Sequence, residues 1–160
     1  EVSLLADLKI MDAGEEEARI AFDAGADFVT VMAVAHDATI EGAARSAHRY
    51  NRRVVADMMR VEDAVTRARE LLALGVDALY VHTAFDMQSS QVSPYRELEA
   101  LRDRLPSAVL GIAGGVNASR LDDIAPHRPD VLVVGGAITR ADNPAEAARG
   151  IRERMDSYGY

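Results

Sequence analysis

A lysine flanked by two aspartates stands at the end of the first apolar run of the sequence. Residues 7–12 read Asp-Leu-Lys-Ile-Met-Asp. In an extended strand alternate side chains share a face, so Asp7 and Lys9 point the same way and Leu8 the other. Charges inside an apolar run are costly unless paired, and carboxylates keep a lysine protonated or take a hard cation such as Mg²⁺. This segment predicts a charged reaction site, with a structural ion pair as the alternative.

The composition singles out the same lysine. Lys9 is the only lysine of the chain, beside seventeen arginines. A high genomic GC content would favour arginine codons, but it does not account for the one exception. Arginine stays protonated, whereas lysine is a compact ammonium whose pKa responds to its surroundings. The composition therefore indicates that Lys9 has a function.

Further titratable residues end or follow later apolar runs. His82 ends one run and is a candidate general acid or base, with a hydrogen-bonded core histidine as the alternative. Asp57 ends another run, and we expect it to line the site or to hold Lys9 or His82 in place. His36 follows a third run and is a further candidate.

Two glycine pairs, Gly114-Gly115 and Gly135-Gly136, end the last two apolar runs. Glycine lets backbone N–H groups approach an anion closely, so we expect both pairs to bind a phosphate group; tight turns are the alternative. The segment Phe85–Pro94 is polar and longer than the other connections. It is predicted to close over a ligand, or else it is a longer connector.

The elements that must position these residues repeat along the chain. Apolar runs begin about every 25 residues and alternate with amphipathic segments, which is typical of parallel strands covered on both faces by helices. The predicted strands are Leu4–Lys9, Phe28–Ala35, Arg53–Met59, Ala78–Ala84, Ala108–Gly115 and Asp130–Gly136. The predicted helices are Glu15–Ala24, Val61–Leu72, Thr39–Tyr50, Tyr95–Leu105, Ser119–Ile124 and Pro144–Met155.

This repeat predicts an α/β fold, a (β/α)8 TIM barrel with its chemistry at the carboxyl ends of the strands. The chain supplies about six βα units, so we expect the first two units of the barrel to be absent. No linker or change of composition divides residues 1–160, which predicts a single domain. An open doubly wound sheet is the alternative, but no topological switch point is recognisable.

Composition also limits the function. The chain has no cysteine, which excludes disulfides, zinc-thiolate sites and cysteine nucleophiles. Its net charge of −8 disfavours nucleic acid and anionic membranes as partners. No apolar run is long enough to span a membrane and no secretory leader is recognisable, so we expect a cytoplasmic location.

The Asp7-x-Lys9-x-x-Asp12 segment resembles the D-x-K-x-x-D motif of the orotidine 5′-monophosphate decarboxylase suprafamily. Within it, the sequence is most similar to the 3-hexulose-6-phosphate synthase branch. The resemblance covers nearly the whole chain and implies that it holds strands three to eight of the barrel. The other supporting stretches are Asp37–Ile40, Val81–Gln88, Ala113–Val116 and Val134–Thr139.

A related branch, 3-keto-L-gulonate 6-phosphate decarboxylase, is the alternative. That branch has an arginine three residues after the histidine, where this chain has Phe85. It also has Gly-Arg at the end of strand eight, where this chain has Gly135-Gly136. Orotidine monophosphate decarboxylase itself is metal-independent and has isoleucine after the motif, where this chain has Ala13.

The resemblance implies an aldol reaction that joins formaldehyde and D-ribulose 5-phosphate into D-arabino-hex-3-ulose 6-phosphate, or its reverse, through an enediolate. Asp7 would be a ligand of Mg²⁺, Lys9 would stabilise the oxyanion, His82 would move protons and the glycine pairs would bind the substrate phosphate. Asp12 would act across the interface of a homodimer.

The family takes a further aspartate and a metal-ligating glutamate from the first two strands of the barrel. The second alternative is therefore an inactive barrel fragment that only binds sugar phosphate.

Overall fold

A computed structural model describes residues 2–84 and 95–159 of the chain. These residues form two compact units, the first ending at Tyr80 and the second beginning at Val81. Within the described residues, six strands alternate with helices, as the repeat predicts. The segment Phe85–Pro94, predicted to close over a ligand, lies outside the described residues.

Parallel pairing joins neighbouring strands within each unit. The first unit holds β1, β2, β3 and the first three residues of β4, which are neighbours in chain order, and each neighbouring pair is parallel. In the second unit β5 pairs in parallel with β6. Parallel pairing brings the carboxyl ends of neighbouring strands to one edge, where the sequence places its polar residues. The strands are Leu5–Ile10 (β1), Phe28–Met32 (β2), Arg53–Asp57 (β3), Ala78–His82 (β4), Val109–Ala113 (β5) and Val131–Val133 (β6).

The predicted helices are found within a few residues of their expected positions. The start of α3 and the end of the last strand differ from the prediction in an informative way. Helix α3 begins at Ala64 rather than near Val61, because the Asp63 side chain accepts a hydrogen bond from the Thr66 N–H and caps the helix. The last strand ends before the glycines, because Gly136 begins helix α6. The helices are Gly14–Asp23 (α1), Asp37–Arg49 (α2), Ala64–Ala73 (α3), Tyr95–Arg104 (α4), Leu121–Ile124 (α5), Gly136–Thr139 (α6) and Pro144–Ser157 (α7).

Burial explains why the strands of the first unit read as nearly continuous apolar runs. Val29, Val31, Val54, Ala56 and Leu79, on β2, β3 and β4, are fully buried. A strand covered on both faces has no solvent side on which to alternate polar residues. Within the described residues, no helix combines the length and the apolar character needed to cross a membrane.

Glu97 of α4 makes the stability of the second unit depend on pH. One of its carboxyl oxygens is buried without a hydrogen-bond partner among the described residues, and burial raises the pKa of Glu97 from 4.5 to about 7. The folded state therefore binds this proton more tightly than the unfolded chain. The resulting stability is complete below about pH 4.5 and is lost as the pH rises through about 7.

We expect Glu97→Gln to remove this decline in stability with rising pH, since glutamine stays neutral. The difference between pH 5 and pH 8 should shrink by about 1–2 kcal/mol, because the half-buried side chain is partly screened. Urea unfolding of the wild type and of the variant at both pH values measures the effect. Glu99→Gln, an exposed change on the same helix, is the control. An equal decline in Glu97→Gln and in the wild type would contradict the prediction.

Candidate active site

The first strand is irregular where it reaches its functional residues. Between the paired residues Ala6–Val29 and Ile10–Val31, β1 advances four residues while β2 advances two. Lys9 lies in this bulge and has a left-handed backbone, with φ 51°. Such a conformation costs a non-glycine residue about 1–3 kcal/mol and persists only where the surrounding structure holds it. Bulges of this kind often re-aim a side chain beside an active site.

The re-aimed ammonium of Lys9 lies between two carboxylates. Its Nζ is 2.5 Å from Oδ2 of Asp7 and 3.5 Å from Oδ2 of Asp57. Asp57 ends β3 and is only 3% exposed, and the Lys9 ammonium and the Met59 N–H, which donates to it over 3.0 Å, both stabilise its charge. Asp7, Lys9 and Asp57 therefore meet at the carboxyl edge of the first unit, as the strand-end pattern predicts.

Asp12 does not pair with Lys9 within the described residues. The two aspartates of the motif flank Lys9 in the sequence, but in the part of the chain that the structure describes its ion-pair partners are Asp7 and Asp57. The carboxylate of Asp12 is exposed and accepts the N–H of Ala13, just before α1 begins. The difference arises because Asp12 lies past the end of the strand, whereas parallel pairing brings Asp57 to the same edge.

The sequence pattern did not single out two residues that lie at the candidate site, Thr30 and Tyr80. Thr30 is 2% exposed, and its hydroxyl contacts both Asp7 and the backbone of Lys9. The sequence feature that could have identified Thr30 is a hydroxyl side chain inside an otherwise apolar run. Tyr80 is paired with Asp57 in the β3–β4 register. Burial, and then the charge of Asp7, raises the pKa of Tyr80, so its hydroxyl stays protonated at neutral pH.

An arginine holds the loop that follows β2. Arg67 of α3 donates from Nε to the carbonyl of Ala33 over 2.8 Å and from Nη2 to the carbonyl of Ala35. The N–H of Ala33 in turn donates to the carbonyl of Asp57. His36, the next candidate, is exposed at the start of α2, where its side chain makes no capping hydrogen bond.

The second unit holds His82 and the first glycine pair. His82 ends β4 and is half-buried, and the following N–H, that of Thr83, donates to the carbonyl of Ala113. Gly114 has φ 89°, and a Cβ there would lie 2.1 Å from the Thr83 carbonyl oxygen. Gly114 is therefore needed for close backbone packing in a tight turn, and Gly115 is also left-handed, with φ 73°.

The second glycine pair lies at the end of the neighbouring strand. Ala113 pairs with Val133, so both glycine pairs follow β5 and β6 at the same edge of the second unit. Gly135 and Gly136 are exposed, and Gly136 opens α6. The first N–H groups of a helix have no partner within the helix and point outward, so this edge presents backbone donors.

The donor set for a metal ion is small. Within the described ranges, no group of three or more histidine, cysteine, aspartate or glutamate side chains is placed to hold a metal ion. The oxygens of Asp7 are already bonded to Lys9 and Thr30. The described residues therefore do not by themselves supply the ligands that Mg²⁺ requires.

Comparisons with known proteins agree with this architecture. The chain is 40% identical to 3-hexulose-6-phosphate synthase 2 of Staphylococcus saprophyticus, over 98% of this chain and 74% of that protein. It superposes on the crystal structure of 3-hexulose-6-phosphate synthase from Salmonella typhimurium with a TM-score of 0.92 and 40% identity, covering 98% of this chain and 74% of that one.

A decarboxylase shares the fold. The structure of 3-keto-L-gulonate-6-phosphate decarboxylase from Vibrio cholerae matches with a TM-score of 0.83 and 24% identity, over 98% of this chain and 73% of that one. The family of orotidine 5'-phosphate decarboxylase and HUMPS matches residues 1–151. The chain belongs to the orotidine 5'-phosphate decarboxylase / HUMPS family.

Proposed function

We propose that this chain catalyses the aldol joining of formaldehyde and D-ribulose 5-phosphate into D-arabino-hex-3-ulose 6-phosphate, or the reverse reaction. The observation that carries the proposal is the Lys9 ammonium held between Asp7 and Asp57. It occurs in a chain 40% identical, over nearly its whole length, to a protein named for this synthase activity. We also propose a cytoplasmic location, because a phosphorylated sugar is charged and does not cross a membrane unaided.

The chemistry needs a stabilised enediolate at C1 and C2 of the sugar phosphate. A proton leaves C1, the resulting carbanion attacks the carbon of formaldehyde, and the new hydroxymethyl oxygen takes up a proton, so that no group is lost. Lys9 places a fixed positive charge where the oxyanion develops, and its two carboxylate neighbours keep it protonated and oriented. Removing a donor of this kind costs about 10²–10³-fold in kcat.

Proton transfer is assigned to His82, which ends a strand at the edge where the chemistry of such folds takes place. Asp12 is assigned to the site of a second copy in a homodimer. Its carboxylate is exposed, and in the part of the chain that the structure describes one of its oxygens accepts the adjacent N–H of Ala13, so it is accessible to a neighbouring subunit.

Mg²⁺ belongs to the proposal as a cofactor that Asp7 would help to hold. The described residues do not complete its coordination, so we derive no step of the reaction from it. Calorimetric titration of the wild type and of Asp7→Asn with Mg²⁺ tests the metal assignment separately from the reaction. Binding that is equal in both proteins would remove Asp7 as a ligand.

The substrate phosphate is assigned to the backbone N–H groups around Gly114, Gly115, Gly135 and Gly136. We expect Gly115→Val to weaken the binding of ribulose 5-phosphate about tenfold or more, because a branched side chain keeps the phosphate from the N–H groups. A phosphate-free analogue should be affected little.

Gly25→Val is the matched control for that variant. Gly25 is also left-handed, with φ 99°, and open space surrounds its Cβ position, so the change imposes similar backbone strain away from the glycine pairs. Calorimetric titration of both variants with both ligands separates phosphate recognition from strain. An equal loss for the two ligands in Gly115→Val would contradict the assignment.

Two substrates test the proposed activity directly. The chain is assayed with Mg²⁺ on ribulose 5-phosphate plus formaldehyde, and separately on 3-keto-L-gulonate 6-phosphate. We expect the aldol reaction to dominate, because Phe85 and Gly136 stand where the decarboxylase branch has arginines. Dominant release of CO₂ would overturn the assignment, and binding of sugar phosphate without turnover of either substrate would support the inactive binding fragment instead.

A further inference from the structure

The bulge of β1 has a single residue of β2 opposite it. Ala6 pairs with Val29 and Ile10 pairs with Val31, so residues 7–9 of β1 face Thr30 alone. A bulge interrupts the regular ladder of backbone hydrogen bonds, and groups released from the ladder need other partners. Both residues that flank Thr30 on β2 are fully buried, so its backbone is firmly anchored in the core.

In this bulge the Thr30 hydroxyl makes hydrogen bonds in place of the regular backbone hydrogen bonds of the sheet. Its Oγ1 accepts the backbone N–H of Lys9 over 2.9 Å and donates to Oδ1 of Asp7 over 2.8 Å. A threonine hydroxyl has one proton to donate, so the bond to Asp7 fixes its orientation. The β-branched side chain also has few rotamers, which makes it a rigid support. One buried hydroxyl thus binds both the backbone of Lys9 and the carboxylate of Asp7.

We propose that Thr30 is the positioning residue of this site: it holds Lys9 in its left-handed backbone conformation and orients the carboxylate of Asp7, so that the Lys9 ammonium is aimed between Asp7 and Asp57. Thr30 itself is 2% exposed and acts only through these two residues. The kinetic part of this inference rests on the proposed aldol function, whereas the structural part does not.

The test uses Thr30→Val, which keeps the shape and the strand propensity but removes the hydroxyl, and Thr30→Ser, which restores it. The first readout is amide hydrogen exchange of Lys9 measured by NMR. We expect exchange at least ~10-fold faster in Thr30→Val and within about threefold of the wild type in Thr30→Ser. The amides of Val29 and Val31 should change little, which separates local release from general unfolding.

The second readout is kinetic. A residue that orients a catalytic group without touching substrate typically contributes about 10–100-fold to activity. We expect kcat to fall by about that factor in Thr30→Val with KM for ribulose 5-phosphate nearly unchanged, because the buried hydroxyl does not reach substrate. Thr30→Ser should recover most of the loss.

Ser46→Ala is the matched control. Ser46 of α2 is 1% exposed, and its hydroxyl has no hydrogen-bond partner among residues 2–84 and 95–159. Its removal should leave Lys9 exchange and kcat as they are.

Unchanged Lys9 exchange in Thr30→Val, or equal defects in Thr30→Val and Thr30→Ser, would overturn the proposal. If the wild type shows no turnover, the proposed function fails, and the exchange measurement still decides the role of Thr30.

Discussion

Lys9→Arg is expected to lower kcat at least ~10²-fold while changing the free energy of unfolding much less. Arginine keeps the positive charge but replaces a compact ammonium with a broad planar fork. The Nζ of Lys9 lies 2.5 Å from one carboxylate and 3.5 Å from another, so the guanidinium cannot fill the same volume without displacing Asp7 or Asp57. The ion pairs can partly re-form, which is why the fold should tolerate the change.

Measuring kcat and the urea midpoint of this one variant distinguishes a functional lysine from a simple ion pair. An exposed salt bridge contributes about 0–1 kcal/mol, and either cation would serve in it, so that alternative predicts nearly normal turnover. Such a result would remove Lys9 from the catalytic residues.

Lys9→Met is the companion variant. It removes the ammonium that pairs with the buried carboxylate of Asp57, and removing one partner of a buried ion pair costs about 3–5 kcal/mol. We therefore expect Lys9→Met to lower the urea midpoint clearly more than Lys9→Arg does.

Gly14→Ala is expected to destabilise the first unit by about 3 kcal/mol or more. Helices α1 and α2 approach so closely at Gly14 that a Cβ there would lie 1.9 Å from the carbonyl oxygen of Thr39 and 3.1 Å from the N of Ala43. These are backbone atoms, so one helix must move to make room. The residues that link β1 to α1 would move with it, and so would the bulge that carries Lys9.

Gly150→Ala is the control for Gly14→Ala. Gly150 lies within helix α7 with open space around its Cβ position, so alanine should stabilise the chain by roughly 0.5–1 kcal/mol. Urea unfolding of the two variants should therefore give changes of opposite sign. A loss below about 1 kcal/mol in Gly14→Ala would mean that the helices separate at little cost.

Local sequence patterns were sufficient to predict much of the secondary structure of this protein and its candidate site. The positions of six strands follow from short apolar runs, because a strand buried on both faces must be apolar along its length. Asn143 before Pro144 is typical of a helix N-cap, and at the start of α7 the Glu146 N–H donates to the Asn143 side chain. The lone lysine between carboxylates pointed to the candidate site, since burying its charge is costly without partners.

Strand ends were harder to place, because a short apolar run does not show where extended backbone stops. The run Asp130–Gly136 is predicted to be one strand, but the carbonyl of Gly135 accepts from the N–H groups of Ile138 and Thr139, and a helix starts there. Glycine permits either outcome, so only the packed structure decides between them.

Sequence alone thus determined which residues carry the charge and near which strand ends they lie, since these depend on local periodicity. Only the tertiary structure decided that Asp57 rather than Asp12 is the second partner of Lys9. That choice depends on the register between β1 and β2 and on the parallel neighbour β3, which bring residues far apart in sequence to one edge. Thr30 could be recognised only there, because its role comes from the bulge that it faces.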